Sequence, residues 1–220
     1  MKINVIITGT TGMVGEGVLI EALSHPEVEK VLVVNRKPCG VSHPKLKEVI
    51  HNDFFDIAPI ADQLKGYNSC FFCLGVTSVG IDKFEYYRLT YTLTMHFAGV
   101  LSEINPDMIF CYISGAGTDS TEKGRLNWAR VKGKTENDLM KLPFKKVFAF
   151  RPGFLEPTEG MKNVHSYYKK MAFLMPVMKF LIPNKYSTLK DIGLAMIVSV
   201  TRGYEKQILE VSDIKKLAGG

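Results

Sequence analysis

The sequence predicts an α/β fold in which helices cover both faces of one parallel β-sheet. Short apolar runs alternate along the chain with segments of helical periodicity. Of the 220 residues, 46% are hydrophobic and 23% are charged, which is typical of a globular domain of this size. We therefore expect residues 1–220 to form a single domain. A glycine-rich turn directly follows the first apolar run and is the most informative motif of the chain.

The alternation assigns the strands and helices in order. Strands are predicted at Ile3–Thr8, Val31–Val34, Val49–Ile50, Cys70–Leu74, Met108–Ile113, Lys146–Phe150 and Gln207–Val211. Helices are predicted from Met13 to Leu23, from the cap Asp56 to about Lys65, from Asp82 to Asn105, from Arg125 to Met140 and near Leu189–Val200. In such a sheet ligands bind beyond the carboxyl ends of the strands, so the informative residues should follow the strands.

The net charge of +6 comes from basic residues that are scattered along the chain, with a local excess from Lys123 to Lys146. No zinc-finger spacing and no RNA-binding aromatic motif accompanies them, so we predict no nucleic-acid partner. A solvated basic face beside a phosphate-bearing ligand is the favoured explanation of the excess.

Two observations bear on the compartment. The first residues do not resemble a signal peptide, because polar residues and a glycine motif interrupt the apolar run. The longest apolar stretch, Met171–Ile182, contains Pro176 and Lys179 and is too short to cross a bilayer. We therefore expect a soluble, cytoplasmic protein without membrane contact.

The pair Cys70 and Cys73 has CxxC spacing, which occurs in redox and zinc sites. Here the pair lies in an apolar run that is typical of a buried strand, where residues three apart point to opposite faces. No second pair of cysteines and no pair of nearby histidines completes a metal site. We interpret these cysteines as buried structural thiols and predict no metal.

The first predicted strand ends in TGTTGMVGEG, which places Gly9, Gly12 and Gly15 between a strand and a helix. The first glycine permits a tight turn, the next permits close approach of a pyrophosphate, and the third permits packing of the helix on the strand. The helix start then offers unpaired N–H groups and a positive dipole to phosphates. We predict a dinucleotide-phosphate site at Gly9, Thr11, Gly12, Met13, Val14 and Gly15.

The end of the second strand indicates which dinucleotide is bound. An NAD site usually has an acidic residue here for the ribose 2′-hydroxyl, but this chain has Asn35, Arg36 and Lys37. The two cations could accept a 2′-phosphate, so NADP is predicted ahead of NAD. Asp53, after the third strand, is placed to meet the adenine amine. The alternatives are a solvated basic turn for the cations and a plain turn residue for Asp53.

Four further segments carry motifs: CLGVT at 73–77, YISGAG at 112–117, RVKGKTE at 130–136 and FRPGFL at 150–155. Together with TGTTGMVG they resemble the short-chain dehydrogenase/reductase superfamily over nearly the whole chain. Among its members, the chain is most similar to the atypical proteins grouped with NAD-dependent epimerases and with reductase-like proteins of the Tat-interacting-protein type. The resemblance implies a doubly wound Rossmann sheet and a nicotinamide cofactor. It also implies cofactor contacts at Leu74, Gly75, Val76, Thr77, Pro152 and Gly153.

The resemblance assigns the family's catalytic serine to Ser114 and its lysine to Lys132, but the tyrosine is missing. The family motif is Tyr-x-x-x-Lys, and this chain has Trp128 at the tyrosine position. Ser114 can still polarise a carbonyl, and Lys132 can still hold the nicotinamide ribose. An indole N–H does not act as a general acid at neutral pH, so the proton donor is absent unless another group supplies it.

The sequence does not choose a substitute for the missing tyrosine. One Tyr-x-x-x-Lys occurs at Tyr186 and Lys190, far from the active-site segment, and we interpret it as chance. The other aromatic and imidazole groups that could act are Tyr86, Tyr87, Tyr91, Tyr167, Tyr168, His96 and His165. A lone histidine is more often a structural residue than a catalytic one.

The leading hypothesis is an NADP(H)-binding reductase-like or epimerase-like protein that acts on a small carbonyl compound. Residues 154–186, rich in apolar and basic side chains, would cover the substrate; membrane docking is the less favoured explanation of that composition. The alternative function is a cofactor-bound sensor or interaction module without turnover, which the substitution by Trp128 favours. A homodimer is expected from exposed helix pairs.

Overall fold

The computed structural model describes residues 2–164 and 185–219, and a seven-stranded sheet lies at the centre of this part. Its strands are β1 (Ile3–Thr8), β2 (Val28–Asn35), β3 (Leu46–Ile50), β4 (Ser69–Phe72), β5 (Ile109–Ile113), β6 (Lys146–Phe150) and β9 (Ile208–Leu209). They lie in the order β3-β2-β1-β4-β5-β6-β9, and every neighbouring pair is parallel. The predicted α/β fold with a parallel sheet is confirmed.

A second, two-stranded parallel sheet joins β7 (Phe154–Glu156) to β8 (Tyr186–Thr188). The helices of the described part are α1 (Met13–Ser24), α2 (Lys83–Tyr87), α3 (Leu93–Ile104), α4 (Asn127–Leu139), α5 (Leu189–Thr201) and α6 (Val211–Leu217). Between β1 and β4 the chain order of the strands reverses direction, and a crevice opens there beyond the carboxyl ends. The glycine turn lies at this reversal.

Two predicted helices differ in kind from the structure. Residues Ala58–Leu64 form a 3-10 helix rather than an α-helix. Asp56 does not cap an α-helix there but accepts the N–H of Ala58 in a tight turn, and Pro59 has no N–H to donate. The long helix after Asp82 is interrupted by a π-helical turn over Arg88–Thr92, which separates α2 from α3. Such a turn adds a residue to the helix without changing the apolar spacing on either side of it.

Both faces of the main sheet are buried. On one face, Ile7 and its neighbours pack against α1 and α5; on the other, Ile6 and its neighbours pack against the 3-10 helix and α3. Successive residues of β1 thus enter opposite clusters, as alternation in a strand requires. Ligands can therefore reach the sheet only along its strand ends.

The cysteines follow the same alternation. Cys70 is buried in the cluster under α3, whereas half-buried Cys73 packs against the opposite cluster, and both thiols are free. Burial raises the pKa of both thiols, and it raises that of Cys111 to about 12. In residues 2–164 and 185–219 no three His, Cys, Asp or Glu side chains gather as a metal site would require. No helix in those residues has the length and apolarity of a membrane span.

Candidate functional site

The glycine turn folds back on the start of α1. Gly9 has φ +72°, and a Cβ there would lie 2.8 Å from the carbonyl oxygen of Cys73, at the end of β4. A Cβ at Gly15 would lie 2.2 Å from the carbonyl oxygen of Gly9, so α1 packs closer to the turn than any side chain allows. Two of the three glycines are therefore required by the fold itself.

Gly12 is different, because its Cβ position is 3.4 Å from its nearest neighbour, the carbonyl oxygen of Gly9. It is the N-cap of α1, its backbone is extended, and no side chain caps the helix. The N–H groups of the first turn therefore have no partner within the helix and face the crevice. Exposed Thr11, buried Met13 and half-buried Val14 flank this position. Pyrophosphate binding there stays a prediction that the geometry permits.

Asn35, at the end of β2, is buried beneath the glycine turn. Its side-chain amide donates to the Thr10 hydroxyl at 2.6 Å, and its amide oxygen accepts the Thr10 N–H at 3.3 Å. Both bonds fasten β2 to the turn. Asn35 thus supports the glycine turn of the predicted cofactor site through the hydrogen bonds of its side chain with Thr10.

A cavity of about 330 Å³ lies beside the turn, beyond β2, β3 and β4. It brings together residues predicted separately: Arg36, Asp53 and Leu74–Val76 all line it. Lys37 and Thr77 are exposed and do not line it. The Asp53 carboxylate also accepts the N–H of Phe55 at 2.9 Å, so it shapes the turn as well as facing the cavity.

Arg88 is a further residue of this cavity, and the sequence did not indicate it. Its guanidinium lies 4.7 Å from the ring centroid of Phe55 and forms two hydrogen bonds with Glu85, of 2.8 and 3.0 Å. It stands at the first residue of the π-helical turn. No spacing rule connects it to Arg36, which is more than fifty residues earlier; only the fold places both beside one cavity.

A second cavity, of about 720 Å³, lies beyond β5 and β6. Gly115–Gly117 form one wall, Pro152–Phe154 another, and the start of α6 a third. Trp128, in the first turn of α4, lines it too, and its ring lies 3.5 Å from the Cβ position of Gly117. The indole thus lines this cavity from the position that the sequence resemblance assigns to a tyrosine.

Ser114, directly after β5, is buried, and its hydroxyl lies 3.0 Å from that of Thr118. The Thr118 hydroxyl donates its only hydrogen to the carbonyl of Gly115 at 2.8 Å. Ser114 must therefore be the donor in the bond between the two hydroxyls. A substrate carbonyl can take the Ser114 hydrogen only by displacing Thr118.

Lys132 lies one turn after Trp128 on α4 and reaches the end of β5. Its ammonium donates to the carbonyls of Ser114, at 3.2 Å, and of Ile113, at 3.4 Å. Burial lowers the pKa of Lys132 to about 8, and the carboxylate of Glu136 opposes that shift. Ser114, Trp128 and Lys132 are thus brought together as predicted, at one end of β5.

A buried ion pair fixes the position of α4. Arg151, after β6, pairs bidentately with Glu136 of α4, and it also bonds Glu210 at 3.1 Å and the Ser120 hydroxyl. Glu136 is fully buried and Arg151 nearly so. The pair ties the helix that carries Trp128 and Lys132 to the end of the sheet.

Several of the side chains considered as alternative proton donors are engaged in other contacts in the structure. The Tyr91 hydroxyl donates to Asp138 at 2.8 Å, and Tyr87 packs on Tyr91. The imidazole of His96 packs edge-on against Phe55, which lines the first cavity, and neither residue lines the second. Tyr86 is buried beneath the site, where burial raises its pKa.

Tyr186 lies in β8, where its hydroxyl bonds Glu156, whereas Lys190 lies in α5. The two therefore do not form a helical Tyr-x-x-x-Lys pair, which agrees with chance occurrence. Tyr167, Tyr168 and His165 lie outside the described residues, as does most of the predicted substrate-covering segment 154–186.

Comparisons with known proteins agree with this geometry. No protein-family model matches the sequence. The solved structure of UDP-N-acetylglucosamine 4-epimerase from Methanobrevibacter ruminantium M1 superposes with a TM-score of 0.67 at 13% identity, over 98% of this chain and 81% of that one. A short chain dehydrogenase family protein from Francisella tularensis subsp. tularensis SCHU S4 superposes with a TM-score of 0.65 at 15% identity, over 92% of this chain and 93% of that one. This chain has the same fold as these two proteins.

A further structure with this fold is that of the enzyme WbmF from Bordetella bronchiseptica, which was solved in complex with NAD⁺. It has a TM-score of 0.67 at 16% identity, over 99% of this chain and 77% of that one. Among curated sequences, the protein fmp52 of Emericella nidulans is 28% identical over 158 residues, which is 69% of this chain and 66% of the relative. The chain thus spans about two thirds of the relative's length.

The predicted cytoplasmic location is wrong by this comparison. The relatives from Emericella nidulans, Debaryomyces hansenii and Saccharomyces cerevisiae are all named as mitochondrial proteins. The prediction rested on the lack of a secretory signal and of a membrane span, and neither feature distinguishes cytosol from mitochondrion.

Proposed function

We propose that this protein binds NADP(H), with the pyrophosphate at the glycine turn and the adenosine end in the cavity between Arg36 and Arg88. The observation that carries the proposal is that cavity. It adjoins the turn through Leu74, which lies against Gly9, and it is bordered by the guanidinium groups of Arg36, directly after β2, and Arg88, in the π-helical turn.

The chemistry of the cavity favours a phosphorylated ribose. Guanidinium groups form strong charge-assisted bonds with phosphate, each contributing about 1.5–3 kcal/mol. Asp53 also lines the cavity and suits the adenine amine. Lys37 lies outside the lining, so we assign the second phosphate contact to Arg88 rather than to Lys37.

We further propose that the protein acts, slowly, on a small carbonyl compound in the second cavity, as a reductase-like or epimerase-like protein. The nicotinamide supplies or accepts the hydride when it is bound. Ser114 releases Thr118 to donate its hydrogen to the carbonyl, and Lys132 leaves its two carbonyl partners to hold the ribose. Trp128 shapes the cavity but releases no proton, so the proton that completes the alcohol comes from water, which limits turnover.

Calorimetry tests the cofactor assignment directly. We expect NADPH to bind at least about tenfold more tightly than NADH, as one lost charge-assisted bond predicts. Arg36→Ala and Arg88→Ala should each reduce that ratio, and the double variant should abolish it. Lys37→Ala is the matched control, because it removes an equal charge outside the cavity. Equal affinities for the two cofactors in the unmodified protein would refute the NADP assignment.

The second candidate function is a cofactor-bound sensor or interaction module without turnover. Trp128 favours it, together with the engagement of the Ser114 hydrogen by Thr118. Incubation of the NADPH complex with a panel of aldehydes and ketones separates the two functions. Steady loss of NADPH with any of these compounds supports the enzyme. The absence of NADPH loss with all of them supports the sensor. The expected homodimer stays a prediction.

A further inference from the structure

A third cavity lies at the opposite edge of the sheet, where β1, β2 and β3 begin. Its volume is about 620 Å³, and Asn4, Lys30, Lys47, Lys65 and Tyr67 are among the residues that line it. We refer to it as the amino-edge cleft. A strand of six residues separates it from the glycine turn, which is roughly 20 Å at 3.3 Å per residue. It therefore cannot form part of the dinucleotide site.

Strand register places two lysines on the same face of neighbouring strands in this cleft, offset by two residues along the strands. Asn4 of β1 pairs with Lys30 of β2, and Leu32 pairs with Lys47 of β3. Residues two apart in a strand share a face, so Lys30, Leu32 and Lys47 all lie on the face that packs under α3. The two ammonium groups thus come from neighbouring strands onto one face.

No described residue forms an ion pair with these lysines. Neither Lys30 nor Lys47 forms a hydrogen bond or ion pair with any residue of 2–164 or 185–219. Glu29 also lines the cleft, at an irregularity in the pairing of β1 with β2, but it forms no ion pair with Lys30 or Lys47. Lys65 pairs only with exposed Asp62, an interaction of little net strength. Like charges on adjacent strands are unfavourable, and an anion would relieve that repulsion.

The walls of the cleft are held in place and offer neutral polar groups. Asn105 accepts the N–H of Gly66 and donates to the carbonyl of Leu64, each at 2.9 Å, which fixes the loop before Tyr67. Burial raises the pKa of Tyr67, so its hydroxyl stays protonated and can donate. The side-chain oxygen of Asn4 is buried without a hydrogen-bond partner in the described part of the chain. A ligand with hydroxyl groups suits these two positions.

We propose that the amino-edge cleft binds a sugar phosphate, either free or as part of a mononucleotide. Its phosphate lies between Lys30 and Lys47, and its hydroxyl groups face Tyr67 and Asn4. The volume falls within the ordinary range for small-molecule sites. This site is independent of the proposed cofactor function, because it shares no residue with the other two cavities.

Calorimetric titration of the protein saturated with NADPH tests the proposal, with ribose 5-phosphate, adenosine monophosphate and inorganic phosphate as probes. We expect ribose 5-phosphate to bind more tightly than inorganic phosphate, and adenosine monophosphate shows whether a base is also accepted. Salt should weaken the binding. Lys30→Gln with Lys47→Gln should weaken it about tenfold or more, since charge-assisted bonds to the phosphate are lost.

The control is Lys145→Gln with Lys190→Gln, which removes the same charge from exposed positions outside the cleft. Unchanged affinity in the cleft variant, or an equal loss in the control, overturns the proposal. It is also overturned if no organic probe binds more tightly than inorganic phosphate. Displacement of the probe by NADPH would assign it to the cofactor site and overturn the proposal equally. Denaturation in urea should find the cleft variant at least as stable as the parent, because only repulsion is removed.

Discussion

A side chain added at Gly15 should mainly reduce the stability of the fold, whereas one added at Gly12 should mainly reduce cofactor affinity. Gly15→Ala forces a Cβ to 2.2 Å from the Gly9 carbonyl oxygen and 2.5 Å from its carbonyl carbon, so the turn and α1 must separate by roughly 1 Å. Overpacking of this kind costs about 1–3 kcal/mol. We expect a lower urea midpoint with weakened cofactor binding as a consequence.

Gly12→Val leaves the fold intact. The Cβ position is 3.4 Å from its nearest neighbour, and the extended backbone at this N-cap suits any residue. A less favourable cap should reduce the free energy of unfolding by about 1 kcal/mol at most. The isopropyl group, however, stands where a phosphate must approach the N–H groups of α1. Losing two charge-assisted bonds, at about 1.5–3 kcal/mol each, predicts an affinity loss of ~100-fold or more.

Two assays on the same samples separate these effects. Urea denaturation reports the stability of each variant, and calorimetry with NADPH reports the affinity. The reasoning is refuted if Gly12→Val keeps its cofactor affinity, or if Gly15→Ala unfolds at the same urea concentration as the parent. The first result would move the phosphates away from this helix start, and the second would show that α1 can shift without cost.

The other predictions concern α4. Trp128→Tyr should increase NADPH consumption with simple carbonyls, because a general acid contributes about 10²–10⁴-fold; robust turnover in the parent would contradict this. Glu136→Leu leaves buried Arg151 with Glu210 and Ser120 alone and should cost up to about 3–5 kcal/mol in urea denaturation, and a neutral outcome would show that these groups and water replace Glu136. Because burial lowers the pKa of Lys132 from 10.5 to about 8, stability should rise with pH between those values, and Lys132→Met should lack that rise.

Local patterns were sufficient to predict the strands that form the centre of the sheet. β1 and β6 have the predicted bounds, since each is a continuous apolar run in a doubly covered sheet. β7 and β8 were missed, because three-residue strands carry no measurable alternation. α6 was missed because the run Gln207–Val211 was assigned to one strand, whereas the strand ends at Leu209 and a helix begins at Val211.

The residues of the candidate site also divide into those that local sequence patterns predict and those that depend on the tertiary fold. Motif residues such as Gly9, Ser114 and Lys132 were found because each directly follows a strand or occupies a family position. Arg88 and the buried partner of Asn35 depend on tertiary contacts that no local spacing encodes. Lys37 was predicted from adjacency in sequence alone, and the structure places it exposed and outside the lining of the cavity.

The contacts of Glu16 indicate when, during synthesis, the tertiary contacts of α1 can be completed. Its carboxylate, only 9% exposed, accepts the backbone N–H groups of Lys162 and Asn163 at 2.7 Å each. A Cβ at Gly17 would lie 2.7 Å from the side chain of Leu189, so the same helix is also closed over by α5. During synthesis, α1 therefore emerges long before the segments that satisfy it. The Glu16 carboxylate must therefore stay hydrated beside the glycine turn until roughly the last quarter of the chain is made. The first helix to be translated is thus among the last to complete its tertiary contacts.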